Sequence, residues 1–214
     1  MKEFSFFLFS ILLVGCTQGA EYSKVDVIKD NNTSSEVHFV APKEHYLLVE
    51  WKSDAMDRGN HDYDTDYHSE LVVEPNYNPL ERGDIIYYQM IESEVKNNPA
   101  IPENYLGRIV GLPGETVVIQ NGQVYIDNQA LDTFYGYSTI RGMDEDTYFE
   151  KLSASNTVDE QSTRDYFKTN MESIVVKNGT VFVLVDQWWR GIDSKHFGLL
   201  PLENVQGKVL GYSR

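Results

Sequence analysis

A succession of short β-forming runs is the feature that most narrows what this chain can fold into. The runs are rich in β-branched and aromatic residues, and Gly, Pro, Asn and Asp recur between them. Such segments favour strands because these side chains fit a pleated, half-buried surface. The sequence therefore predicts a mostly β body. The runs cover residues 37–40, 46–51, 70–74, 85–89, 108–111, 116–120, 123–127, 174–177 and 181–185.

Two Asn-Gly pairs mark expected turns between successive strands. They are Asn121-Gly122 and Asn178-Gly179. Type I′ turns need positive φ at both central positions, and Asn-Gly supplies it at low cost. Each pair therefore predicts a two-residue β-hairpin.

Two helical patterns interrupt the strands. Residues 144–152 carry acids in the first turn, and residues 158–171 place Tyr166, Phe167 and Met171 at helical spacing. Aromatic side chains in such a pattern usually belong to a core. Together these patterns predict a short α/β insertion at about residues 132–173.

The amino terminus combines a short apolar run with the only cysteine. Residues 4–14 would span roughly 16 Å as a helix, too little for a bilayer core of about 30 Å, so they match the apolar part of a secretory signal. The run leads into Leu-Val-Gly-Cys at Cys16, which resembles the lipobox of bacterial lipoproteins. That resemblance implies acylation of the cysteine sulfur. The alternative is an ordinary signal peptide with a chance cysteine.

This pattern predicts three parts: a lipoprotein signal peptide at 1–15, a polar tether at 16–35 and a folded domain at 36–214. With 33 acidic and 18 basic residues, the net charge is −15, which argues against nucleic-acid binding. Anionic lipid would repel the chain as well, so membrane attachment needs the acyl chains. A single cysteine leaves no internal disulfide and no cysteine-based metal cage.

Three segments resemble, in order, the conserved boxes of type I signal peptidases. Glu-Arg-Gly-Asp-Ile-Ile at 81–86 is similar to K-R-G-D-I-V, and 104–117, with Gly-Leu-Pro-Gly, is similar to D-Y-[IV]-K-R-V-I-G-L-P-G-D-T-V. Residues 185–198 are similar to G-D-N-R-D-N-S-x-D-S-R-x-x-G. The resemblance implies a type I signal peptidase/LexA-like complex β fold. It also implies a family that removes signal peptides with a serine nucleophile and a lysine base.

The positions that match the catalytic residues of this family hold other residues. The family nucleophile lies in a segment similar to 53–56, where the chain has Ala55. The lysine position immediately before the second-box arginine holds Gly107, and Gly191 replaces a third-box serine. Loss of one member of such a unit can cost about 10⁶-fold in rate. The sequence therefore predicts an inactive homologue.

Other positions of the resemblance are retained. In the family, a substrate strand lies between the strand that enters the serine and the strand that carries the lysine, a form of β-augmentation. The resemblance therefore implies exported proteins or signal-peptide-like segments as partners, unless the groove has decayed. The expected groove residues are Ser53, Asp54, Met56, Tyr105 and Leu106, and the expected ion-pair residues are Arg108, Asp186, Asp193 and Lys195.

The leading hypothesis is a lipid-anchored pseudopeptidase on the extracytoplasmic face of the cell membrane, typical of a Gram-positive bacterium. It would bind or scaffold exported polypeptides in secretion or envelope assembly. An alternative is an active signal peptidase with a relocated site that uses Ser53, Lys195 or His196. A further alternative is a structural or metal-sensing envelope lipoprotein.

The metal alternative depends on the loop at 61–70. Asp62, Asp64 and Asp66 alternate as in a calcium loop, but Tyr67 and Val73 stand where an EF-hand needs glycine and glutamate. We therefore expect a solvated loop, no metal site and no cofactor.

Overall fold

The fold is described by a computed structural model that covers residues 26–152 and 158–214. Most of its regular structure is β, as the sequence predicts. The strands are β1 (Val27–Lys29), β2 (Phe39–Val40), β3 (Leu47–Val49), β4 (Leu71–Glu74), β5 (Ile85–Gln89), β6 (Asn104–Gly111), β7 (Thr116–Gln120), β8 (Gln123–Ile126), β9 (Gln129–Asp132), β10 (Met171–Val175), β11 (Thr180–Leu184), β12 (Leu200–Pro201) and β13 (Val205–Ser213). The helices are α1 (Glu92–Asn97), α2 (Glu145–Lys151), α3 (Glu160–Phe167) and α4 (Ser194–Phe197), with 3₁₀ helices at Asp54–Met56 and Leu202–Asn204.

The strands form two sheets. The larger sheet has the order β12-β11-β6-β5-β13-β4-β3, and β2 pairs with β13. The smaller sheet has the order β1-β9-β8-β7-β10. Most neighbours are antiparallel, whereas β1 pairs with β9 and β2 with β13 in parallel.

Strand β11 contributes to two hydrophobic cores. Val181 and Val183 belong to one cluster, while Phe182 and Leu184 belong to the other. Successive side chains of a strand point to opposite faces, so β11 is buried on both sides. The apolar run is therefore a central strand between the two cores.

One of the two expected hairpins forms. Asn121 and Gly122 both have positive φ, 48° and 76°, and they connect antiparallel β7 and β8. The hairpin predicted at Asn178-Gly179 is wrong, because β10 pairs with β7 and β11 pairs with β6 and β12. The two strands enter different sheets, and Gly179 alone of the pair has positive φ.

The predicted helices in the insertion are confirmed with shorter bounds. Asp144 caps α2 by accepting from the Thr147 N–H at 2.8 Å. Asp159 caps α3, which ends at Phe167, and Met171 begins β10 instead of continuing the helix. Pairing of β10 with β7 outweighs the helical pattern there.

Part of the expected tether belongs to the folded body. Val27–Lys29 pairs with β9, and Asp30 accepts a hydrogen bond from the Tyr135 hydroxyl at 2.7 Å. The folded body thus starts before residue 36. The predicted signal peptide, Cys16 and the first part of the tether lie outside the described residues. Within the described ranges, no helix has the length and apolarity that crossing a membrane requires.

Candidate functional site

The short 3₁₀ helix Asp54–Met56 carries the position that matches the family nucleophile. Ser53 has extended backbone angles and caps this helix, its Oγ accepting from the Ala55 N–H at 3.2 Å. Ala55 and Met56 are fully buried. The Ser53 hydroxyl is therefore used for local structure, and a methyl group occupies the position expected to carry the nucleophile.

Gln187 holds this 3₁₀ helix from the third box. Its backbone N–H donates to the Ala55 carbonyl at 2.8 Å, and its Nε2 donates to the Asp54 carbonyl at 2.6 Å. Its Oε1 accepts from the Arg141 N–H at 3.1 Å. Arg190 adds an ion pair with Asp54 at 2.8 Å. The third box thus holds this segment in place.

Gly191 lies directly against Ala55. A Cβ atom built on Gly191 would lie 3.0 Å from the Ala55 Cβ, 3.0 Å from the Tyr105 hydroxyl and 2.9 Å from a Val185 methyl. The Tyr105 hydroxyl also accepts from the Ile192 N–H at 3.2 Å. Little space therefore remains at position 191 for the serine that the family has at the matching position.

Gly107 lies on β6 opposite Ile86 of β5. A Cβ atom built there would lie 3.3 Å from the Tyr88 ring, 3.5 Å from the Val183 Cβ and 3.6 Å from the Leu184 carbonyl oxygen. Tyr88 is fully buried, and its hydroxyl has no hydrogen-bond partner among the described residues. Burial raises the pKa of Tyr88, and nearby carboxylate charge adds to this effect.

A cleft runs between residues 50–53 and residues 102–105. It consists of two cavities of about 530 and 380 Å³, both lined by Trp51, Ser53 and Pro102. Strand β6 pairs with β5 from residue 104 onward, but with β11 only from residue 108 onward. One edge of residues 104–107 is therefore left without a strand partner in the described sheet.

Only some of the expected groove residues face this cleft. Ser53 and Tyr105 line the larger cavity, and the half-exposed Asp54 lies next to it in an ion pair. Met56 and Leu106 are fully buried in the core, so their placement in the groove is wrong. Neighbouring residues of a strand point to opposite faces, which separates Tyr105 from Leu106.

Trp51 is a cleft residue that sequence reasoning missed. It is 4% exposed and lies edge-on to Tyr105, with ring centroids 4.8 Å apart. Its indole N–H has no partner in the described part of the chain. Trp51 could have been predicted from its place two residues before Ser53, because residues i and i+2 of an extended segment point to the same side.

Arg108 and Asp186 form a buried ion pair. Arg108 donates from Nε at 2.7 Å and from Nη2 at 2.6 Å to the two carboxylate oxygens. Arg58 approaches the same carboxylate at 3.4 Å. Burial opposes the charge on Arg108, but the carboxylate outweighs it and raises the pKa of the guanidinium. Two buried cations thus share one carboxylate.

Asp193 organises a second buried charge cluster. It caps α4 and contacts Lys195 Nζ at 2.5 Å and His196 Nδ1 at 3.3 Å. Burial would raise the pKa of Asp193, but the charge of Lys195 and the hydrogen bonds from His196 and Lys195 lower it. The Lys195 amine is thus held by a carboxylate.

These contacts predict loss of stability in acid. The pKa of Asp57 is also lowered: burial opposes this, but hydrogen bonds from the Gly59 and His61 N–H groups and from Arg141 outweigh it. The unfolded state binds more protons than the folded state, so stability is complete above about pH 5 and falls as pH drops below about 4. Thermal denaturation from pH 3 to 7 should show the melting temperature falling in acid. The variant Asp57→Asn should reduce how steeply the melting temperature depends on pH. The exposed Asp132→Asn is the control; equal slopes in both variants would contradict the assignment.

The loop at 61–70 does not gather metal ligands. The His61 ring stacks on Tyr67 at 3.7 Å, whereas the His68 ring stacks on Tyr212 at 4.5 Å. Within residues 26–152 and 158–214, no group of three His, Cys, Asp or Glu side chains could hold a metal ion. The local contacts thus give the metal alternative no support.

Comparison with known proteins identifies the family. The family described as Signal peptidase, peptidase S26 matches residues 8–212. Signal peptidase I of Leptolyngbya laminosa is 38% identical over 143 residues, which cover 65% of this chain and 57% of the relative. Inactive signal peptidase IA of Staphylococcus aureus is 24% identical over 137 residues, which cover 64% of this chain and 62% of the relative. The chain thus spans less than two thirds of the length of either protein.

A solved structure gives a weaker match. A signal peptidase I from Enterococcus faecalis aligns with a TM-score of 0.41 and 22% identity, covering 62% of this chain and 98% of that structure. The family match, in contrast, extends over nearly the whole sequence. The chain belongs to the signal peptidase family, peptidase S26.

Proposed function

We propose that this chain is a lipid-anchored, extracytoplasmic signal peptidase I-like protein that binds exported polypeptides without cleaving them. The observation that carries the proposal is Ala55 in the 3₁₀ helix beside the cleft. A methyl group has no lone pair for attack on a peptide carbonyl. The cleft can therefore bind a polypeptide segment, but it lacks a nucleophile at the position where the family has one.

The shape of the cleft supports binding of an extended segment. Residues 104–107 offer backbone groups on one side, and residues 50–53 form the other wall. Main-chain hydrogen bonds to such an edge provide affinity, and the cavities select side chains. Trp51, Tyr105 and Trp188 supply aromatic surface in the larger cavity.

The lack of a suitable base also supports the absence of cleavage. Gly107 has no amine, and its surroundings are filled by Tyr88 and Val183. Lys195 is paired with Asp193 and does not line the cavity that contains Ser53, so its amine is not placed to replace the missing base. A relative in Staphylococcus aureus is named inactive, which agrees with loss of activity within the family.

Lipid attachment would place the cleft at the membrane surface. Two acyl chains or more hold a protein stably on a bilayer, whereas one is marginal. The net charge of −15 provides no attraction to anionic lipid, so modification at Cys16 would carry the attachment. The protein would then hold exported polypeptides near the membrane, as a scaffold in secretion or envelope assembly.

One observation favours a second candidate, a working peptidase with a non-standard site. Ser53 and His196 line the same cavity, and His196 contacts the buried Asp193. A hydroxyl, an imidazole and a carboxylate are the components of a serine hydrolase. Relatives named signal peptidase I, one of them 38% identical, fit this candidate as well.

A combined cleavage and binding assay separates the two candidates. The full chain in detergent is incubated with a preprotein, while binding of its fluorescent signal peptide is followed by anisotropy. We expect binding with no detectable cleavage. Ala100→Trp, which fills the larger cavity, should weaken binding at least about tenfold, whereas the exposed Ala41→Trp outside the cleft should not. Cleavage that disappears in Ser53→Ala would overturn the proposal in favour of the second candidate.

A further inference from the structure

A third cavity lies on the insertion, next to the cleft. This insertion cavity has a volume of about 390 Å³ and is formed mainly by α3 and the residues just before it, with Tyr148 of α2 and Trp189 of the third box. Ile140, Tyr148, Tyr166 and Trp189 supply apolar walls, and Asp159 and Ser162 lie at its polar side. The cavity has the chemistry to receive a large apolar side chain.

Trp189 joins the insertion cavity to the cleft. Its side chain lines both the insertion cavity and the larger cleft cavity. It is 55% exposed, whereas the preceding Trp188 is 3% exposed and belongs to the core. Tyr166 supports it at a ring distance of 6.2 Å and is itself fixed by donating to the Thr139 carbonyl at 2.7 Å. A segment that leaves the cleft past Trp189 would therefore reach the insertion cavity directly.

The charge around the insertion cavity is negative. Three bases on α2, α3 and their caps, Lys151, Arg164 and Lys168, are outnumbered by seven acids, and Arg164 already pairs with Glu145 and Glu160. An approaching segment with basic residues would be attracted, whereas a second copy of this chain, with a net charge of −15, would be repelled. The acids of α2, α3 and their caps are Asp144, Glu145, Asp146, Glu150, Asp159, Glu160 and Asp165.

We propose that the insertion cavity is a second docking site for the same polypeptide that binds the cleft. It takes a large apolar side chain flanked by Lys or Arg, located a few residues beyond the part held in the cleft. This inference rests on the proposed function, because it gives the insertion a role in binding the same exported polypeptide. The insertion thereby extends the contact surface past Trp189 and selects for a basic-apolar element in the client.

The test compares peptides of different length. The probes are a fluorescent ten-residue signal-peptide-like core, the core extended by Lys-Leu-Lys-Lys at either end, and matched extensions with Ser-Ser-Ser-Ser or Glu-Leu-Glu-Glu. Binding to the full chain in detergent is measured by anisotropy at low and high salt. We expect one basic-apolar extension to tighten binding at least about tenfold, with a smaller gain at high salt and none for the serine or glutamate forms.

Variants locate the effect. Thr163→Trp fills the insertion cavity and Tyr148→Ala removes a wall, so both should abolish the gain from the extension without changing affinity for the core. Phe39→Ala, at an exposed aromatic residue outside the three cavities, should keep the gain. Equal affinity for core and extended peptides would overturn the second site while leaving cleft binding intact. Absence of binding by every peptide would overturn both proposals.

Discussion

Replacing Asp186 with alanine should cost about 3–5 kcal/mol of the free energy of unfolding. The change removes the carboxylate that Arg108 contacts twice and that Arg58 approaches at 3.4 Å. Two guanidinium groups would remain buried without that charge, and burial penalises an uncompensated cation heavily. Chemical denaturation of the full chain in detergent, followed by near-ultraviolet circular dichroism, measures the loss.

The matched control changes an exposed carboxylate. Asp132 lies 3.9 Å from Lys29, and both side chains are about 60% exposed. Asp132→Ala should therefore alter stability by no more than about 0.5 kcal/mol. A similarly small loss for Asp186→Ala would show that the buried arginines find other partners, which would contradict their shared dependence on Asp186.

Restoring both missing catalytic groups should create proteolytic activity. The double variant Ala55→Ser with Gly107→Lys places a hydroxyl on the 3₁₀ helix and an amine on β6. Burial near Tyr88 and Val183 would lower the pKa of that lysine, as a general base requires. We expect cleavage of a preprotein at least about 10³-fold above the original chain, since such a pair acts as a unit.

The control keeps the bulk of the new side chain and removes its amine. Ala55→Ser with Gly107→Met should remain inactive, and so should each single variant. The short distance from Gly107 to the Tyr88 ring means that a longer side chain has to displace that ring. If the lysine variant binds signal peptide but cleaves nothing, the bound segment does not present its carbonyl to position 55, and the proposed path of the peptide must be revised.

The fold was largely predictable because its strongest signals are local. Asn121-Gly122 forms the expected hairpin, since positive φ at both positions is a property of the turn itself. The helical patterns at 144–152 and 158–171 also form helices, with Asp144 and Asp159 as caps. The hairpin predicted at Asn178-Gly179 does not form, because a local turn pattern carries no information about which sheet the next strand joins.

The candidate site was only partly predictable. Matching the boxes identified Ala55 and Gly191 as degenerate positions, and the structure adds that the two residues are neighbours. The same matching put Met56 and Leu106 in the groove, although both are buried in the core. Which side of a segment faces a cavity depends on its neighbours in space, and a box pattern does not contain that information.

The sequence alone determined the family, the mostly β class and the residue types at the degenerate positions, because these depend on residue identity and short-range spacing. The tertiary structure decided what those residues face. It showed that Tyr88 and Val183 fill the surroundings of Gly107, that two arginines share Asp186 and that Trp189 lies between two cavities. These contacts join residues far apart in the chain, and close packing of a particular fold is what sets them.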